Sequence, residues 1–170
     1  AKRAALMSGT THDIEFVTGY YDLLVNKTLC NLMLEKLEEV DGIKFTEDER
    51  TFAAELQATV PEGSAKGDFE WIKTSSNANI SGDDIDNPLW EQVLPHAEKS
   101  PVIGGSTEVG DVSWITPTGQ ITTCCWPLGT PGHSWQTVAS CGSSIGTKGM
   151  LFASKTMALT GLELFTKPDL

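Results

Sequence analysis

The sequence predicts an α/β fold, and three observations lead to it. Apolar and polar residues alternate around Ile14 and Phe16 and again over 111–115 and 120–126, the period of strands with opposite faces. Leu29, Leu32, Met33, Leu37 and Val40 recur at helical spacing, as do Met150, Leu151, Met157, Ala158, Leu162 and Phe165 near the other end. Glycine- and proline-bearing turns separate these runs. The 170 residues suffice for one domain with a real core and are too few for two independent ones.

The chain opens with small and apolar residues from Ala4 that pass into His12-Asp13-Ile14-Glu15-Phe16-Val17, which reads as an edge strand with one wet face. His12 lies on its polar side or at its start. Tyr20 and Tyr21 follow in a bend. Asn26 is a suitable N-cap for a helix of about four turns whose apolar stripe is Leu29 to Val40, with Glu35, Lys36, Glu38 and Glu39 on the other side and Gly42 as the stop. Thr46 and Glu49 form a capping box for a shorter helix carrying Phe52, Ala53 and Leu56, which ends near Thr59 ahead of Pro61.

From 61 to 100 the pattern weakens, and an irregular ordered insertion or lid is expected. Asp83, Asp84 and Asp86 lack the spacing and terminal Glu of a calcium loop and read as a solvated turn. The apolar run at 102–103 breaks into a glycine turn; strands are expected over 111–115 and 120–126, joined through Pro117-Thr118-Gly119. A last helix is expected over 147–165, its Met150, Leu151, Met157, Leu162 and Phe165 side resting on a sheet that Ala158 and Gly161 allow it to approach.

Twelve basic against 23 acidic residues give a net charge of −11, which argues against nucleic acid and anionic membranes as partners. No run of about 18 apolar residues is present, and the N-terminus lacks the apolar core of a signal peptide, so a cytoplasmic protein is expected. The start at Ala1, leading directly into a strand-like run, suggests a fragment of a longer protein, although Met removal before Ala gives the same start. Cys30, Cys124, Cys125 and Cys141 show no C-x-x-C spacing, and reduced thiols are expected.

The stretch from Cys125 to Met150 concentrates the chemistry. His133 sits in a Gly-Pro loop, between Trp126 and Trp135 and ahead of a glycine-punctuated run into the last helix. A lone imidazole presented in this way suits a metal ligand or a proton-transfer group, and equally a loop with an incidental His.

The runs G-T-P-G-H-S-W-Q (129–136), S-I-G-T-K-G-M (144–150) and G-S-T-E-V-G-D-V-S-W (105–114) together resemble the C-terminal part of the aminobenzoyl-glutamate utilization B-like branch of the zinc-peptidase-like amidohydrolases, the family that includes aminoacylases. The resemblance implies that residues 1–20 are the last strand of a ferredoxin-like dimerisation domain. It also implies that residues 21–170 complete a catalytic α/β domain with a mixed sheet flanked by helices. It puts the last ligand of a divalent metal centre, Zn or Mn, on His133. It marks Glu108, Asp111 and Ser134 as groups supporting the metal or the substrate loop, with capping or solvated acids the alternative for the first two.

The remaining ligands and the catalytic carboxylate are expected from sequence outside this chain, which makes it a catalytically incomplete portion of a homodimeric or hetero-oligomeric amidohydrolase acting on a small amide substrate. Two departures stand out: Thr147 precedes Lys148 where a His is expected, and Trp135 follows His133-Ser134 where other branches carry Pro.

Two further readings remain open. One is a self-sufficient acidic binding or interaction module, indifferent to metal. The other is thiol chemistry pairing His133 with Cys124, Cys125 or Cys141, for which no orienting Asn or helix N-terminus is evident.

Overall fold

The computed structural model describes residues 1–76, 78, 80–96, 105, 107–167 and 169. Helices dominate: α1 (Lys2–Ser8), α2 (Lys27–Glu39), α3 (Glu47–Gln57), α4 (Ser64–Ser75), a 3-10 helix (Gly82–Asp86), α5 (Val109–Ser113), α6 (Trp135–Cys141) and α7 (Ser144–Thr166). Among the described residues the sole strand-type pairing is an isolated antiparallel bridge between Ser76 and His96.

This overturns the expected α/β fold with its mixed sheet and its ferredoxin-like strand. Lys2–Ser8 is helical, as its Ala-Ala-Leu-Met run favours, and closes on Gly9 in the left-handed conformation at φ 66°. Ile14 and Phe16 stand 68% and 84% exposed with no neighbouring strand. Alternation marks a strand only where something covers one face, and nothing described covers this one. Residues 111–113 lie in α5. Over 120–126 the chain runs without regular structure, its side chains partly covered and its backbone unladdered. The apolar run at 102–103 and its glycine turn fall largely outside the described residues.

The two capped helices form as the sequence dictates. Asn26 accepts from the Leu29 N–H at 2.9 Å, and α2 buries Leu32 and Met33. At α3 both halves of the capping box are made: Glu49 N–H donates to Thr46 Oγ1 at 3.3 Å and Thr46 N–H to Glu49 Oε2 at 2.7 Å. Lys36 departs from expectation: it is buried, not solvated on the polar side. Its ammonium reaches Glu35, Glu39 and, across on α7, Glu163 at 3.3 Å. The hydrogen bonds to Glu35 and Glu39 hold its pKa above the ordinary lysine value.

Ile43, Phe45, Ala53, Leu89, Ile145 and Phe152 form the central core, flanked by Leu37, Val40, Phe52, Val93 and Cys124. α7 packs against α2 and α6, and α4 against the 3-10 helix. Helix α4, unforeseen in the sequence, is a weak helix with Gly67 inside it and one buried residue, Phe69. A groove of about 490 Å³ lies between α2, α4, the 91–96 segment and the 120–126 segment.

Candidate functional site around His133

The loop that carries His133 is built by its neighbours. Gly129 takes φ 82°, and its N–H donates to Asp68 Oδ2 at 2.7 Å. A Cβ there would collide with the Ala65 backbone at the start of α4, so only glycine fits. The next residues turn toward α6, whose N-cap is Ser134: its Oγ accepts from the Thr137 N–H at 3.2 Å and donates to the Pro131 carbonyl at 2.7 Å. Gln136, buried, donates to the Thr59 carbonyl and hydroxyl, tying the first turn of α6 to the end of α3.

His133 itself is exposed and sits at φ 59°, in the left-handed region. Such a conformation costs a residue with a Cβ about 1–2 kcal/mol. Its imidazole makes no hydrogen bond or ion pair among the described residues. Trp135, 60% exposed, stands two residues on.

The second motif anchors α7. Ser144 Oγ donates to Glu49 Oε1 and Lys148 Nζ to Glu49 Oε2, both at 2.6 Å, and Lys148 also reaches the Lys44 carbonyl. Burial alone raises the Glu49 pKa, but the bonds from Lys148 and Ser144 outweigh it and bring the carboxyl down to about 2. Ile145 is fully buried; Gly146 and Gly149 lie so close to Cys141 and to the Cys124 carbonyl, respectively, that any side chain would clash. Ser140 Oγ donates to the Cys125 carbonyl, joining α6 to the 120–126 segment.

The third motif, on α5, clasps the segment before α2. Tyr21 N–H donates to Asp111 Oδ1 at 2.9 Å, Leu24 N–H to Ser113 Oγ at 2.8 Å, and Trp114 Nε1–H to the Asp22 carbonyl at 2.9 Å. A Cβ at Gly110 would overlap the Tyr21 carbonyl. Glu108 precedes α5 without capping it, and its carboxylate makes no bond among the described residues.

Of the residues singled out in the sequence, His133 and Ser134 stand together at the head of α6, while Glu108 and Asp111 belong to α5. No hydrogen bond joins the two groups among the described residues. The sequence reading missed the Glu49–Lys148–Ser144 link. Its signal was the Lys of the S-I-G-T-K-G-M run, whose partner lies 99 residues away. His12 is exposed, and His96 shares a 3.0 Å hydrogen bond between Nε2 and the Cys30 carbonyl.

Burial pushes the Cys124 thiol up to about 11, and burial and then the neighbouring Cys125 raise Cys141. Neither has the depressed pKa of an activated nucleophile. Among the described residues no three His, Cys, Asp or Glu side chains converge on a point that could hold a metal ion. The described residues therefore do not by themselves fit a metal centre. No helix among them is long and apolar enough to cross a membrane.

The three motifs thus make separate attachments: the α5 motif to the segment before α2, the α7 motif to α3, and the His133 loop to α4 and the end of α3. Similarity to a known protein runs along nearly the whole chain. The chain is a relative of the B subunit of p-aminobenzoyl-glutamate hydrolase. The match is to the Escherichia coli (strain K12) protein, 36% identical over 168 residues, which cover 97% of this chain. This chain spans 35% of that relative's length. No family model matches the chain, and no solved structure does. The relative is, by its name, one subunit of a hydrolase.

Proposed function

We propose that this chain is part of a longer metal-dependent amidohydrolase that cleaves an amide bond next to a carboxylate-bearing amino acid, with p-aminobenzoyl-glutamate or an N-acyl amino acid as the substrate class. His133 is the single metal ligand this stretch contributes. The observation that carries the reading is the state of His133: an exposed imidazole without a partner among the described residues, held in a left-handed conformation that glycine would adopt at no cost, in a motif where Gly129, Ser134 and Gln136 fix the loop. Strain at an exposed side chain supports a functional role only together with its setting: Asp41, exposed at φ 63°, shares the backbone state but follows the end of α2, outside any of the three motifs.

Similarity over 97% of the chain to a much longer hydrolase subunit, of which it spans 35%, supports both the reaction class and the incompleteness of the stretch. The remaining donors, Zn or Mn, and the catalytic base come from the rest of the polypeptide, and no catalytic step is assigned to the residues described. A bound metal would supply an activated water at neutral pH. Asp111 and Ser134 fix the two loops; Glu108 is free to face substrate. The protein is cytoplasmic and works as a homodimer or as one subunit of a hetero-oligomer.

The test uses the complete polypeptide as encoded. Its metal content and its kcat/KM on p-aminobenzoyl-glutamate are compared with those of His133→Ala. The reading expects the variant to lose bound metal and at least about 100-fold in kcat/KM, since even groups behind a ligand cost 10–100-fold. Full metal occupancy and unchanged activity in the variant would remove His133 from the site and leave a binding module as the better account.

A further inference from the structure

We propose that the outward side of α7 is an interior surface, covered by an apolar layer of the same longer polypeptide; the inference rests on the reading that the chain is part of one. α7 is inverted. The side it turns to the described structure carries Ile145, Gly149, Phe152, Thr156 and Thr160, with both threonine hydroxyls bonded to carbonyls of their own helix. Its outward side carries the larger apolar residues: Met150 is 56% exposed, Leu151 50%, Met157 52%, Leu162 60%, Leu164 47% and Phe165 92%.

At about 100° per residue these six span roughly 160° of the helix, and the positions between them, Ser154, Ala158 and Gly161, are small and uncharged. Lys155 lies at the edge of this side, while Lys148 and Glu163 are drawn into ion pairs with Glu49 and Lys36. A charge-free apolar side over a 23-residue helix is unusual in a chain of net charge −11, where solvated helix faces carry acids.

The occupant is polypeptide in cis. The relative matches this helix together with the rest of the chain and has about twice as much sequence again beyond the match, since the match covers 35% of it. Ser154, Ala158 and Gly161 admit a flat, close-packed neighbour, and the flanking methionines adapt to its contours.

The four methionines provide the test. The complete polypeptide is exposed to a limiting peroxide pulse, native and urea-unfolded, and oxidation at Met7, Met33, Met150 and Met157 is read by mass spectrometry. Met33 is buried and serves as the internal reference. Met150 and Met157 are expected to react at least about tenfold more slowly in the native than in the unfolded protein, independently of concentration, because oxidation follows exposure.

Native rates equal to the unfolded ones overturn the inference. Protection that disappears on dilution also overturns it by assigning the face to a second copy, and so does a reading frame coding for these 170 residues alone. In the same polypeptide Met157→Glu is expected to destabilise strongly and Lys155→Glu barely; equal tolerance of both counts against the covered face. A polypeptide with protected methionines but no amide hydrolysis would keep this inference and sink the hydrolase reading.

Discussion

Lys148 Nζ lies 2.6 Å from Glu49 Oε2, joining the second turn of α7 to the first turn of α3 across 99 residues of sequence. Glu49 also serves the Thr46 capping box and accepts from Ser144, so one buried carboxylate fixes two helix starts. Lys148→Met would leave that carboxylate buried with its charge uncompensated. The expected loss is about 1–3 kcal/mol, less than for a fully buried pair because Lys148 is itself partly solvated. Urea unfolding measures it. The double variant Glu49→Gln, Lys148→Met should recover part of the loss, and a single variant as stable as the parent would show that the ion pair contributes nothing.

The same carboxylate predicts an acid limit. Its pKa in the folded chain is about 2, against an ordinary value of 4.5. A depressed folded pKa stabilises the folded state above the unfolded pKa and loses that stabilisation as pH falls through the window between them. Glu163 is shifted the same way, by its hydrogen bond from Lys167 and, against the cost of burial, by Lys36. Stability should therefore be flat above about pH 5 and fall between about pH 4.5 and 2. In Glu49→Gln the fall should be shallower. An unchanged slope in that variant would assign the acid limit to other groups.

Glycines on α7 should respond in opposite directions. A Cβ at Gly149 would stand 2.5 Å from both the Cys124 carbonyl and the Cys125 sulfur, whereas one at Gly161 meets nothing within 4 Å. Gly149→Ala should cost about 1–3 kcal/mol by forcing α7 away from the 120–126 segment. In these 170 residues alone Gly161→Ala should stabilise by about 0.5–1 kcal/mol, the ordinary helical difference between the two residues, whereas in the complete polypeptide the covered face should cancel that gain. Thermal unfolding of the two variants side by side decides the matter; equal effects would mean that helix propensity alone, and not close packing, governs both.

What the sequence made legible was local. Asn26, Thr46 and Glu49 act within three residues of their partners, so their capping could be read directly, and the stripe from Leu29 to Leu37 is set by the period of one helix. What failed was every inference that needed a partner elsewhere. Ile14 and Phe16 alternate as a strand does, yet alternation carries no information about whether a neighbour is present, and the described structure gives them none. Lys36 reads as a solvated charge until Glu163 arrives from α7. The apolar stripe of α7 was legible, but no sheet lies against it among the described residues; the helix turns its other side inward, where Gly149 admits the Cys124 carbonyl and Thr156 and Thr160 are buried. At the candidate site, His133 could be singled out from its loop, whereas its left-handed backbone could not be foreseen in a residue other than glycine.

Thiol chemistry makes a separate claim, and Cys124 and Cys141 argue against it. With the Cys124 thiol near 11 and Cys141 raised by burial and by Cys125, neither carries an appreciable thiolate fraction at neutral pH. Iodoacetamide at pH 7 should label Cys141, which is exposed, at or below the rate of a free thiol, and the half-buried Cys124 more slowly still. A cysteine reacting well above the free-thiol rate would reopen a nucleophilic role beside His133.

His133→Gly separates strain from function. If His133 is retained for what its imidazole does and not for the fold, replacing it with the residue its φ of 59° suits should leave stability unchanged or raise it by up to about 1 kcal/mol, because the left-handed penalty of a Cβ is removed. Ser134→Ala, one position on, should instead cost about 0.5–2 kcal/mol through loss of the α6 cap. In the complete polypeptide the order reverses for activity: His133→Gly abolishes hydrolysis, while Ser134→Ala retains it to the extent that α6 stays formed. Denaturation midpoints and kcat/KM measured on the same preparations test both halves. A destabilised His133→Gly would mean that the imidazole supports the loop, and the strain would then no longer argue for a ligand.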